Sequence, residues 1–247
     1  MTEGPPNPPP PPGGGYPPAP PAGGPPPAPG GGPPPAPGAA GPPGAYDPYA
    51  AERALEEWAT GKGYTLSKTP ELGWYQSWAP FQYVPRVARI GRELRATFGE
   101  ATLHVIEGFE ADPLKAATGE DRYLYAFIVS ARLTLRAAIR AKSGGGIVND
   151  LSRGIGSLFG GSPGGVLGDP AFEQRFEVAA PTREEGNRAL PVPLRQHLLQ
   201  TSWRGILEVR PGGMVCVFYA FRSFDASTLD ALIPSAGQIY QHAAAAA

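Results

Sequence analysis

From Tyr123 to Val129 every position of the chain is apolar or aromatic, Tyr-Leu-Tyr-Ala-Phe-Ile-Val. This pattern predicts a strand covered on both faces and central in its sheet, continuing as far as Ala137. Upstream, residues 86–109 are predicted to form a hairpin. Phe98-Gly-Glu100 is its turn, and Thr102, His104 and Ile106 alternate with Leu103, Val105 and Glu107. Downstream, residues 172–178, 206–210 and 214–221 have strand character, the last two joined at Pro211-Gly-Gly213, a compact hairpin signal.

Helical spacing occupies other stretches. Asp47-Pro48 reads as an N-cap followed by proline at the first helical position, opening a helix to about Thr60 with Leu55 and Trp58 on one face and Gly61 as its stop. Thr182-Arg-Glu-Glu185 is a capping box starting a helix that breaks at Pro191 and Pro193 and resumes over 194–199. Asp225 caps a final helix to about Gln241, bent near Pro234 and Gly237. In the glycine-rich stretch 143–168, Ile147, Leu151, Ile155 and Leu158 sit at helical spacing, which predicts a short amphipathic helix between flexible joints. Residues 64–84 carry Trp74, Tyr75, Trp78, Phe81 and Tyr83 but are broken by Pro70, Gly73 and Pro80, so they read as irregular chain packed down by its rings. Consecutive hairpins without βαβ alternation predict an α+β fold, a mainly antiparallel sheet with segregated helices.

Composition divides the chain. Residues 1–45 hold 21 of the 33 prolines and 12 of the 34 glycines, with Glu3 as their only charge. The octads beginning at Pro17, Pro25 and Pro33 repeat one design, proline runs punctuated by glycine. This segment reads as a disordered tail, reaching on the order of 40 Å as a flexible coil and ~140 Å as polyproline II. Tyr16 within it and Tyr46 and Tyr49 just after it are its aromatic handles. The α+β domain is then 46–242, with possible sub-parts 46–142 and 169–242 joined by 143–168, and 243–247 form an alanine tail.

Charge and cysteine content narrow the classes further. A net charge of −1 gives no strong nucleic-acid signal. Cys216, the only cysteine, lies in Met214-Val-Cys-Val-Phe218 as a small hydrophobe, so an intramolecular disulfide is excluded. With no signal-peptide pattern and no apolar run of the roughly 18–20 residues that cross a bilayer, a soluble, cytoplasmic protein is the simplest expectation.

Motifs that carry chemistry are sparse. Gly160-Gly-Ser-Pro-Gly164 matches the nucleophile elbow by letter, but glycine-rich loop replaces the strand and helix the elbow requires. Gly154-Ile-Gly156 is a weak phosphate-loop echo. His104, His197 and His242 are far apart and form no zinc pattern. Glu107, Glu110, Asp112, Glu120 and Asp121 read as solvated connections rather than acid–base or Ca²⁺ groups. Arg86, Arg89, Arg92 and Arg95, spaced by three, fit neither a strand face nor a helical stripe, and read as arginines lying over exposed rings. No residue is assigned as catalytic, cofactor-binding or metal-ligating.

Asp169-Pro-Ala-Phe-Glu-Gln-Arg-Phe-Glu-Val178, followed by a helix ending Arg195-Gln-His-Leu-Leu199, two strands and a closing helix, resembles a bacterial domain family of unknown function. That family's pattern reads D-x-x-F-N-R-R-F-x-V, then L-L-T-P-x-L-R-x-x-L-L. Leu55-Glu-Glu-Trp58, Gly63-Tyr-Thr65 and Pro80-Phe81 extend the similarity over most of 48–242. Glu173 replaces the family's asparagine, and Pro191-Val192 stands where it has Thr-Pro. Many relatives carry transmembrane helices where this chain has its proline-rich tail, so the resemblance implies a fold but no membrane location, and it supplies no catalytic residue. The expected function is a non-enzymatic interaction or scaffold module on a proline-rich tether, with a protein partner met through the tail. The alternatives are an enzyme with an unrecognised active site and a peripheral membrane protein docking through 147–159.

Overall fold

A computed structural model describes residue 47 and residues 49–71, 73–142 and 167–245. The expected tail, the 147–159 helix and both glycine motifs lie outside these residues. Eight strands form one antiparallel sheet in the order β1-β2-β3-β4-β8-β7-β5-β6. They are β1 (Thr65–Ser67), β2 (Val87–Phe98), β3 (Ala101–Glu110), β4 (Arg122–Val129), β5 (Ala137–Ala141), β6 (Phe176–Ala179), β7 (Gly205–Arg210) and β8 (Gly213–Phe218). The fold class is α+β, as expected. Strands on either side of 143–168 interleave, β4 pairing with β8 and β5 lying between β7 and β6, so a single sheet unites them.

Both hairpins turn where glycine permits. Gly99 takes φ 56° between β2 and β3, while Pro211 and Gly212 (φ 91°) join β7 to β8 in the order that a proline-glycine turn demands. The all-apolar strand is central, fourth of eight, but stops at Val129 rather than Ala137. Past Val129 the backbone bonds to the β7–β8 turn: Ser130 N donates to Gly212 O at 2.9 Å, and Gly212 N donates to Leu133 O at 2.8 Å. β5 then starts on the far side of β7.

Helices account for the remaining corrections. α1 (Ala50–Gly61) starts two residues later than expected, because Asp47 Oδ1 accepts from Tyr49 N at 2.9 Å in a local turn and caps no helix. Gly61 is its last residue, and the left-handed turn falls on Gly63 at φ 72°. α2 (Gly73–Gln76) is a single turn inside the aromatic stretch, and α3 (Pro113–Thr118) is capped by Asp112. The strand expected over 172–178 is mostly α4 (Pro170–Arg175). Asp169 Oδ1 accepts from Phe172 N and Pro170 opens the helix, leaving only 176–179 for β6. Local capping thus overrode alternation.

α5 (Arg183–Ala189) has only half of the capping box. Thr182 Oγ1 accepts from Glu185 N at 3.1 Å, but the Glu185 carboxylate accepts from Arg136 N instead. α6 (Val192–Gln200) begins on its two prolines. β8 ends at Phe218, three residues before the expected strand end. α7 (Ala226–Ala244) is capped by Asp225, runs through Pro234 and absorbs the first residues assigned to the alanine tail, Ala243 and Ala244 being buried against the core.

The sheet has two dry faces. On one, Leu94, Leu103, Val105, Leu124, Ala126, Ile128, Leu207, Met214 and Cys216 meet Leu55 of α1, Leu194 and Leu198 of α6, and Leu229, Leu232, Ile233 and Ile239 of α7. Burial pushes the Cys216 thiol well above its ordinary pKa, so it stays protonated and inert. On the other face, Ile106, Tyr123, Tyr125, Phe127, Ile206, Val215 and Val217 lie under the aromatic stretch.

Candidate functional site

The second face holds most of the buried chemistry. Phe127, fully buried at its centre, is met edge-on by Trp74, Tyr75 and Trp78, with ring centroids 5.2, 5.6 and 5.1 Å away, and by Phe81 at 6.3 Å. These rings belong to a strap, residues 73–84, that crosses the sheet largely without regular structure. Irregular chain over a dry sheet has backbone N–H groups that need partners. Glu208 supplies them. Its Oε1 accepts from Tyr83 N at 2.6 Å and Val84 N at 2.8 Å, and its Oε2 from Gln82 N at 3.1 Å. Arg210 completes the clasp, donating to Trp78 O and, at 3.1 Å, to Pro80 O while its guanidinium lies over the Trp78 and Phe81 rings.

At the strap's start, Trp74 stacks on His104 with centroids 4.6 Å apart. His104 Nδ1 lies 2.7 Å from Oε1 of the fully buried Glu93, which Arg95 also grips through Nε at 2.9 Å and a terminal nitrogen at 3.1 Å. Burial raises the Glu93 pKa, but the bonds from Arg95 and His104 outweigh it and hold the carboxyl below its ordinary value. An ionised carboxylate can only accept, so Nδ1 is the donor in this bond and Nε2 is the ring nitrogen that Glu93 leaves free. This is the arrangement that orients a general base or a metal ligand.

At the other end, Tyr125 is fully buried over Gly108, where even a Cβ would meet its ring at 2.5 Å, and its hydroxyl has no hydrogen-bond partner among the described residues. Tyr123 nearby lies beneath Arg222, and Lys115 pairs with Glu110 at 2.5 Å.

The spacing of the four arginines has a local cause. Gly91 and Arg92 both face Glu107, an extra residue in β2, and Ala88 is extra in the same way opposite 109–110. These bulges put Arg89 over the Phe109 ring at 3.7 Å and Arg92 on Glu107 at 2.9 and 3.1 Å, whereas Arg95 turns to Glu93 on the opposite face. A side chain at 91 would press on the Glu107 carboxylate at 2.6 Å and displace it. Glu107, read from sequence as part of a solvated connection, is therefore buried between Arg92 and Arg122. Asp112 caps α3 and Glu110 holds Lys115, while neither is brought to Glu107 by a hydrogen bond.

Among the three histidines, His104 lies under the strap and the other two meet. The rings of His197 of α6 and His242 of α7 lie with centroids 4.9 Å apart and planes tilted by 38°. Sequence reasoning missed Glu93, Glu208 and Arg210. The available signal was Glu208 set inside the otherwise apolar run Ile206-Leu-Glu-Val209, whereas Glu93 lies between Arg92 and Leu94 in a charged stretch whose alternation could not say that its polar side was also covered. No helix among the described residues is long and apolar enough to cross a membrane. The chain matches no protein-family model, no curated protein and no solved structure.

Proposed function

We propose that this protein is a non-enzymatic interaction or scaffold module, a rigid α+β body carried on a proline-rich tether that meets a protein partner. The observation that supports this most is the use made of Glu208 and Arg210: these two charges are spent on the strap's backbone and fasten it to the sheet. Rigidity of that kind suits a carrier, and a proline-rich segment binds an aromatic groove with little ordering cost. The likeness to a bacterial family of unknown function, carried by the 169–199 pattern, agrees with a body whose fold is retained while its means of positioning varies.

The test compares the full chain with a fragment starting at Asp47. The fragment keeps the same melting temperature within about 2 °C, while a defined partner captured by the full chain is lost, and a synthetic peptide of residues 17–40 competes for it. Loss of stability on removing the tail, or full capture by the fragment, overturns the tether.

A second reading, an enzyme using His104 as general base, is favoured by the Glu93–His104 hydrogen bond. It requires His104→Gln to abolish a turnover while leaving the fold intact. Any substrate whose conversion survives that change removes His104 from its mechanism.

A further inference from the structure

His197 and His242 are 45 residues apart in sequence and bear no relation to the strap, yet α6 packs on α7 so that their rings lie together near the ends of both helices. Both are half-buried, leaving one side open to solvent. The separation of the rings is informative. A metal–nitrogen bond of about 2.0–2.1 Å, plus roughly 1.1 Å from nitrogen to ring centre, puts two imidazoles on one ion about 4.5 Å apart at a right-angled bond angle and about 5.2 Å apart at a tetrahedral one. The observed 4.9 Å falls between them.

We infer that His197 and His242 form a two-imidazole site for a late first-row divalent cation, Cu²⁺ or Zn²⁺. No cluster of three or more His, Cys, Asp or Glu suited to a metal occurs among the described residues, so water fills the other coordination positions. Two neutral nitrogen donors without a thiolate or a carboxylate suit these borderline ions and reject Mg²⁺ and Ca²⁺, which want oxygen. The ion clamps the C-terminal turn of α7 to α6, closing the helix layer at its end.

Titration of the full-length chain with Cu²⁺ tests this, with electron paramagnetic resonance reading the nitrogens on the ion. One ion binds with two equivalent imidazole nitrogens, and His197→Gln or His242→Gln each weakens it at least tenfold, whereas His104→Gln does not. Zn²⁺ added to the wild-type chain raises its melting temperature, a readout that needs no variant to fold. A spectrum with one imidazole, equal affinity in the His197→Gln, His242→Gln double variant, or no thermal shift with saturating Zn²⁺ overturns the site.

Discussion

The two faces of the sheet are both covered but are sealed by different means. Helices cover one of them, and a helix satisfies its own backbone, so aliphatic side chains such as Leu194, Leu198, Leu229 and Leu232 suffice to dock it. An irregular strap covers the other, and its N–H groups must find acceptors on the sheet itself. Hence Glu208 is buried on the strap face, where it ties the strap to the sheet, and aromatic rings replace aliphatic ones because a few large side chains can seal a wide area without repeating structure. On the helix face Glu107 is a buried carboxylate, and there too a departure from regular structure, the Gly91–Arg92 bulge, accompanies it. Glu208 and Glu107 are thus both buried beside a departure from regular backbone.

Truncating Phe127 to alanine removes the ring on which four strap aromatics converge, and is expected to cost about 3–5 kcal/mol, measured by urea unfolding. A cost below about 1 kcal/mol would mean that the strap contributes little to sealing its face. Glu208→Gln comes next, at about 2–3 kcal/mol, because three N–H groups lose a charged acceptor and Arg210 loses its counter-ion. In a Trp58→Phe, Trp203→Phe background, the fluorescence of Trp74 and Trp78 is expected to change in this variant at lower urea than the far-ultraviolet circular dichroism. Coincident transitions would break the comparison, showing that both faces melt as one unit.

Asp225→Ala probes the helix face and is expected to cost about 1 kcal/mol at pH 7 through the lost cap. Hydrogen bonds from Ser223 foremost and from Thr228 N hold the Asp225 pKa down to about 2 from its ordinary 3.8. A depressed carboxyl stabilises the fold above the unfolded value and loses that contribution as the group protonates. The gap between wild type and variant therefore closes as pH falls from about 4 through 2, and a gap independent of pH in that window would show that the cap does not act through the charged form. The smallest effect belongs to Arg86→Ala, an exposed member of the arginine row, at less than about 0.5 kcal/mol in the same urea assay. A larger loss would give this arginine a structural part that its neighbours' positions do not suggest.

Much of the sheet was legible because its signals are local. The apolar run 123–129, the Phe98-Gly-Glu100 turn and the Pro211-Gly212 turn each specify backbone geometry within a few residues. The errors came where two local signals competed. Phe172 to Val178 alternates like a strand, yet Asp169-Pro170 starts a helix there, and the same pair of residue types at Asp47-Pro48 caps none. The strap was read correctly as irregular chain held by its rings, but what holds it was not, because Glu208 is 124 residues or more from the N–H groups it accepts.

By itself, then, the sequence determined the α+β class, the central strand and the turns, since each follows from propensity or pattern over a short span. Only the tertiary structure decided that the sheet is covered twice, that Glu93 and Glu208 are buried, that two bulges divide the arginines between faces and that His197 meets His242. Those outcomes depend on which elements become neighbours, and neighbourhood is fixed by packing over the whole chain, which no local pattern encodes.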